Sequence, residues 1–134
     1  MPGTAFLDIE LKVPPSARFI DLLDAARGHA GNLASAVVSS FDPRTLESIG
    51  QARPGWRRWL NAWSLDGVAI GLARDAGCAG VSAHWRSVNQ RSIRLAGSAG
   101  LVAAAWTVRR RATFDRLDRL GVIAVGVEAA ALDG

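Results

Sequence analysis

The sequence predicts an α/β fold built on a parallel sheet, and three observations carry that reading. Segments of strand type alternate with segments of helical period along the whole chain. The strand starts fall near residues 5, 34, 56, 80, 101 and 122, mostly a little over twenty residues apart. Glycines at 31, 55, 77, 100 and 121 punctuate the way into each following strand. Alternation of this kind implies right-handed crossovers between parallel strands. Two architectures fit, an open doubly wound sheet or an arc of a (β/α)8 barrel. No glycine-rich phosphate loop follows any strand, which weakens the nucleotide-binding version.

The elements follow in order. Ala5 to Val13 alternates Leu7, Ile9, Leu11 and Val13 against Asp8, Glu10 and Lys12, the two-residue period of a strand. Pro14 and Pro15 break it, Ser16 is placed to cap a helix, and Phe19, Ile20, Leu22, Leu23 and Ala26 recur at helical spacing through about Ala30. Gly31 and Asn32 turn the chain into a buried strand over Ala34 to Phe41. Asp42 and Pro43 start a short helix as N-cap and first helical residue, and Thr45, Leu46 and Ile49 carry it until Pro54 and Gly55.

A third strand is expected between Trp56 and Trp63, although its alternation is weak and Arg57 and Arg58 sit side by side within it. Asp66 to Ala76 reads as a helix closed by Gly77, and Gly80 to Trp85 as a short strand. Ser87, with Gln90 three residues on, forms a capping box for a helix through Ala99. Leu101 to Val108 is a fifth strand and Arg109 to Arg111 a loop. Thr113 to Leu120 is a helix stopped by Gly121, and Val122 to Val127 a sixth strand.

Composition bounds what such a chain can do. At 134 residues it is one domain, 1–134, long enough for a real core, and its apolar fraction of 49% argues for a folded soluble chain. No apolar run approaches a membrane span and no signal peptide is visible, so the expected location is cytoplasmic. Cys78 is the single cysteine, which excludes an internal disulfide and reads as a small buried apolar residue. A net charge of +4 favours anionic ligands. The scattered arginines and the three tryptophans Trp56, Trp59 and Trp63 leave a nucleic-acid module as a weaker alternative.

One residue pair stands out. Lys12 is the only lysine among 16 basic side chains, and it shares a strand face with Glu10 and Asp8. In a chain that otherwise uses arginine, a lone compact ammonium beside a carboxylate marks a position where a hydrated point charge matters. An ordinary ion pair on a solvated strand face has the same spacing.

Four short matches in order then give the chain a family. Leu7-Asp8-Ile9-Glu10-Leu11-Lys12 resembles the Glu-x-Lys strand of the glycerophosphodiester phosphodiesterase family. Val38-Ser39-Ser40-Phe41-Asp42-Pro43 resembles its next strand and helix start, Trp106-Thr107-Val108 its Trp-Thr-Val-Asn strand, and Leu120-Gly121-Val122 the lead into its last strand. The resemblance implies a TIM barrel, with this chain on the later portion, an incomplete barrel of about six βα strands. It implies metal-dependent hydrolysis of glycerophosphodiesters to glycerol 3-phosphate and an alcohol. Glu10 would ligate a divalent cation, Mg²⁺ or Ca²⁺. Lys12 would neutralise a phosphoryl oxygen. Trp106 would wall the pocket against the glycerol moiety, with Arg109 a further substrate contact.

The departures from the family pattern shape the remaining expectations. Its His-Arg pair and Glu-x-Asp belong to strands that precede the first match, and the two histidines here, His29 and His84, do not match the catalytic one. Arg109 stands where the family has asparagine, and Ile123 where an aspartate is common. Asp8 is expected in a buried polar layer below Glu10. Six parallel strands do not close such a barrel, so the sequence reads as a truncated member or as one whose edges a second chain covers. The alternative function is an inactive member that binds a divalent cation or a phosphorylated ligand.

Overall fold

The structure, a computed structural model, describes residues 8–12, 15–29 and 36–127. Strands and helices alternate through them as β1 (Asp8–Glu10), α1 (Ala17–His29), β2 (Val37–Ser40), α2 (Pro43–Ala52), β3 (Arg57–Ala62), α3 (Gly67–Asp75), β4 (Gly80–His84), α4 (Gln90–Ser98), β5 (Val102–Val108), α5 (Arg111–Leu120) and β6 (Ala124–Val127). The strands pair in parallel and in sequence order, β1 to β6. A doubly wound sheet reverses its strand order at a switch point. No reversal occurs here, so the six strands form an arc of a (β/α) barrel. Among the described residues β1 pairs with β2 alone and β6 with β5 alone.

Local chemistry sets most boundaries where the sequence implied them. Ser16 Oγ accepts the Phe19 amide at 3.1 Å to start α1. Asp42 caps α2 by accepting the Arg44 amide at 2.9 Å, with Pro43 at the first helical position. Asp66 caps α3 through the Ala69 amide at 2.9 Å. Gly77 and Gly121 follow α3 and α5 with φ of 74° and 91°, a left-handed backbone that favours glycine. The first strand is shorter than its alternation, ending at Glu10, and residues 5–7 and 13 of that expectation lie outside the described residues. So do residues 34 and 35 of the second strand, the Gly31-Asn32 turn and the His29 side chain.

Two boundaries needed correction. The cap of α4 is Asn89 paired reciprocally with Ser92, not Ser87 with Gln90. Ser87 ends a 3₁₀ turn, Trp85–Ser87, where its hydroxyl donates to the His84 carbonyl at 2.7 Å and accepts the Leu65 amide at 3.0 Å. The last helix starts at Arg111 rather than Thr113, so the predicted three-arginine loop contributes its final residue to the first turn.

The sheet has two unlike faces. On the outer face Leu60, Val81, Ala83, Ala103 and Ala105 pack with Leu46 of α2, Ile70 of α3, Ala96 of α4 and Leu117 of α5. Ile9, Leu11 and Val38 pack there with Ile20 of α1. Arg58 also points outward. Its Nη1 donates to the Leu46 carbonyl at 3.0 Å and the Ala76 carbonyl at 2.9 Å, tying the sheet to two helices. Of the Arg57-Arg58 pair that was the best case for the nucleic-acid alternative, Arg58 is thereby half-buried and Arg57 alone stays exposed, while Trp56 and Trp59 are buried, which weakens that alternative. Cys78 is buried as expected, and burial pushes its thiol up to about 11, with Arg58 pulling the other way.

The inner, concave face is partly polar. Val37, Trp59, Ala104 and Ala124 form a small apolar floor. Beside it Ser39 Oγ donates to Asp8 Oδ1 at 2.6 Å and accepts from Asn61 Nδ2 at 3.2 Å, a chain across β1, β2 and β3. Asp8 therefore joins a polar layer as expected, but the residue keeps exposed surface and only its carboxyl is partly enclosed, rather than the whole side chain being buried.

Candidate active site

Glu10 and Lys12 lie on the concave side at the C-terminal end of β1, where their side chains form an ion pair. The Leu11 amide carries the ladder one step past the strand by bonding the Ser39 carbonyl at 2.8 Å, and Lys12 follows in a bend rather than on the strand where it was expected, joined to Glu10 by the ion pair. The Lys12 side chain is 81% exposed and that of Glu10 35%, so the ammonium reaches outward while the carboxylate anchors it. A cavity of about 410 Å³ is lined by Lys12 with Leu11, Ser40, Phe41, Asp42 and Pro43, and Glu10 reaches it only through its ion pair with Lys12. Barrel active sites occupy this end of the strands.

Electrostatics separate the nearby carboxylates. Burial raises the Asp8 carboxyl above the ordinary value; the Ser39 hydroxyl opposes the rise, and the neighbouring Glu10 charge adds to it. Asp42 lines the cavity but spends its carboxylate on the α2 amide of Arg44, with the Arg44 Nε at 3.5 Å. Glu10 does not line the cavity itself, and its partner is the exposed Lys12 ammonium that does.

Further along the rim, side chains from successive strand ends meet. Phe41 follows β2, Trp63 follows β3, His84 ends β4 and Trp106 lies two residues before the end of β5, and the centroids of their contacting rings lie 5.0–6.2 Å apart. Trp106 is fixed by its Nε1, which donates to the Ser82 carbonyl at 3.0 Å. His84 Nδ1 accepts the Arg86 amide at 3.3 Å, a capping role in the 3₁₀ turn. Trp106 joins the Glu10–Lys12 site through Phe41, which both lines the cavity and touches Trp106 edge-on. Arg109 is exposed on the loop after β5 and is not a lining residue. Trp63 was legible only as a strand residue, because its part in the ring cluster depends on the register of β3 against β4 and β5.

The residues present limit what metal the site fits. Among the described residues no three His, Cys, Asp or Glu side chains gather as a protein cage would require. Glu10, a hard and partly exposed oxygen donor beside a cavity, suits instead a hydrated cation held by one or two carboxylates and substrate oxygens, as Mg²⁺ often is.

An arc of parallel βα units with a carboxylate–ammonium pair at the C-terminal mouth defines an incomplete (β/α) barrel with a charged rim. The family model of the glycerophosphoryl diester phosphodiesterase family matches residues 13–131, and the chain belongs to that family. A comparison with curated proteins returned no match. Among solved structures it is similar to an Oleispira antarctica phosphodiesterase in complex with the product sn-glycerol-3-phosphate (TM-score 0.76, 21% identity), covering 96% of this chain and 56% of that one. It is also similar to glycerophosphodiester phosphodiesterases from Parabacteroides distasonis (TM-score 0.69, 14% identity, 91% and 52%) and Agrobacterium tumefaciens (TM-score 0.68, 17% identity, 96% and 54%). At these identities the likeness shows the fold, and the chain spans about half the length of these structures.

Proposed function

We propose that the protein hydrolyses glycerophosphodiesters to glycerol 3-phosphate and an alcohol. The observation that carries this reading is the Glu10–Lys12 pair beside the cavity at the C-terminal end of β1. In the reaction a water oxygen bonds to phosphorus, the P–O bond to the alcohol breaks, and the alcohol leaves with a proton that the water gave up. Lys12 offsets the negative charge that builds on a phosphoryl oxygen. Glu10 holds that ammonium in place and offers a ligand oxygen to a divalent cation, Mg²⁺ or Ca²⁺. The cation, when bound, would polarise the phosphodiester. Trp106 walls the glycerol side, and Arg109 contacts substrate from the loop after β5.

Release of glycerol 3-phosphate, measured with and without Mg²⁺ or Ca²⁺, tests this. Cation-dependent release is the expected result. Thermal stabilisation by cation or glycerol 3-phosphate without release would favour the inactive, ligand-binding alternative, and neither effect would overturn both. Among the described residues no helix is long and apolar enough to cross a membrane.

Among the described residues β1 and β6 each pair on one side alone, which supports one partner beyond the substrate, a second copy pairing along the other side. Light scattering is expected to give more than the monomer mass, and a cooperatively unfolding monomer would count against the pairing.

A further inference from the structure

We propose that the sector from β4 to β6 docks on an anionic lipid bilayer, its arginines contacting lipid phosphates while the barrel mouth faces the surface. The charge of the chain is divided unevenly. Residues 1–79 carry eight basic and eight acidic side chains, so that part is balanced. Residues 80–127 carry eight arginines against two carboxylates, Asp115 and Asp118, a surplus of six, and Glu128 and Asp133 bring the whole chain to +4. Such asymmetry marks a surface for a polyanion. Pairing deepens the contrast. In the first part Lys12 is held by Glu10, Arg44 by Asp42, and Arg53 by Asp21 and Asp24. In the second Arg111 pairs with Asp115, but among the described residues Arg86, Arg91, Arg94 and Arg110 are exposed and hold no carboxylate.

Position gives these charges one direction. Arg86 lies in the 3₁₀ turn after β4, Arg110 in the loop after β5, and Arg91 in the first turn of α4. All three stand at the end of the strands where Lys12 lines its cavity. Arg94 continues the line one turn further along α4, beside Leu95, which is 46% exposed. A row of cations around an exposed leucine suits a bilayer interface, where phosphates meet the guanidinium groups and acyl chains meet the apolar side chain. Nucleic acid suits it less. A single strand asks for open rings on which bases stack. The rings of this sector, Trp85, Trp106 and Phe114, are half-buried, with Arg86 over Trp85 and Arg111 over Phe114, each at 5.2 Å. Docking of this kind stands apart from hydrolysis and needs no residue of the Glu10–Lys12 site.

The test is co-sedimentation of the full chain with vesicles of phosphatidylcholine, alone or with about one-third phosphatidylserine, at about 0.1 M salt. The anionic vesicles are expected to bind at least about tenfold more tightly, and the preference to fade as salt rises. Each arginine near such a surface contributes about fivefold in partition, so the triple variant Arg91→Gln, Arg94→Gln, Arg110→Gln is expected to bind about 10²-fold more weakly. A second triple variant, Arg18→Gln, Arg57→Gln, Arg74→Gln, removes the same charge from the balanced part and is expected to stay within about threefold of native. All six side chains are exposed, so the thermal midpoints are expected to hold. No preference for anionic vesicles, or equal losses in the two triple variants, would overturn the docking face. Tighter binding to a single-stranded oligonucleotide than to the anionic vesicles at the same salt would overturn the lipid partner. The phosphodiesterase reading would survive each of these results, because its own failure is read from glycerol 3-phosphate release.

Discussion

Lys12→Ala is expected to lower kcat/KM for glycerophosphodiesters by about 10²–10³-fold, the cost of removing one group that stabilises charge as it develops. The expected effect on stability is close to nothing. The Lys12 side chain is 81% exposed, and exposed ion pairs contribute little to folding. This separation distinguishes a chemical role from an ordinary surface ion pair, which would move neither quantity. Lys12→Arg is expected to recover only part of the rate. A planar guanidinium would dock both its forks on the Glu10 carboxylate, where a compact ammonium can turn toward a phosphoryl oxygen. Glu10→Ala is expected to lose activity as severely, because it releases the ammonium and removes the candidate ligand oxygen together. Steady-state kinetics alongside thermal unfolding of the three variants checks all of this; a Lys12→Ala enzyme within about threefold of native would remove the lysine from the chemistry.

How much of this was legible in the chain depends on the range over which each feature is encoded. Glu10 and Lys12 were visible because a two-residue spacing is a local fact, although the strand ends at Glu10 and Lys12 stands in the bend beyond it. The caps at Ser16, Asp42 and Asp66 were visible for the same reason. The cap of α4 was not, since Ser87–Gln90 and Asn89–Ser92 both meet the spacing rule. The choice between them fell to Leu65, whose amide occupies the Ser87 hydroxyl from a distant loop. The third strand looked weak because Arg58 stands on the outer face where an apolar residue is expected, and its partners, the Leu46 and Ala76 carbonyls, lie on two other elements. The ring cluster was least legible. Phe41 and Trp106 stood in short family-like motifs while Trp63 and His84 stood in none, and only the pairing of the strands brings the four rings together. Arg109, carried over from a family motif, stands in the loop where it was expected, but a motif position says nothing of which way an exposed side chain reaches.

Leu46→Ala is expected to destabilise the fold by about 2–5 kcal/mol, the range for truncating a fully buried leucine. Leu46 has no exposed surface and belongs to the larger cluster, between the sheet and its helices. The site cannot collapse easily around the void. Arg58 fixes the Leu46 carbonyl and the Ala76 carbonyl at 3.0 and 2.9 Å, so α2 and the end of α3 are held apart at a set distance. A urea midpoint that falls with no change in slope would show lost stability with the same surface exposed on unfolding. A loss below about 1 kcal/mol would mean that the helices do close over the gap. The asymmetry between the faces gives this variant its wider use. The outer layer ties four strands to four helices, whereas the inner floor is four residues, Val37, Trp59, Ala104 and Ala124. Stability therefore resides mainly on the helix side, and the mouth carries exposed groups such as Lys12 and Trp63 that add little to it. Substitutions at the mouth then report on binding and chemistry rather than on folding.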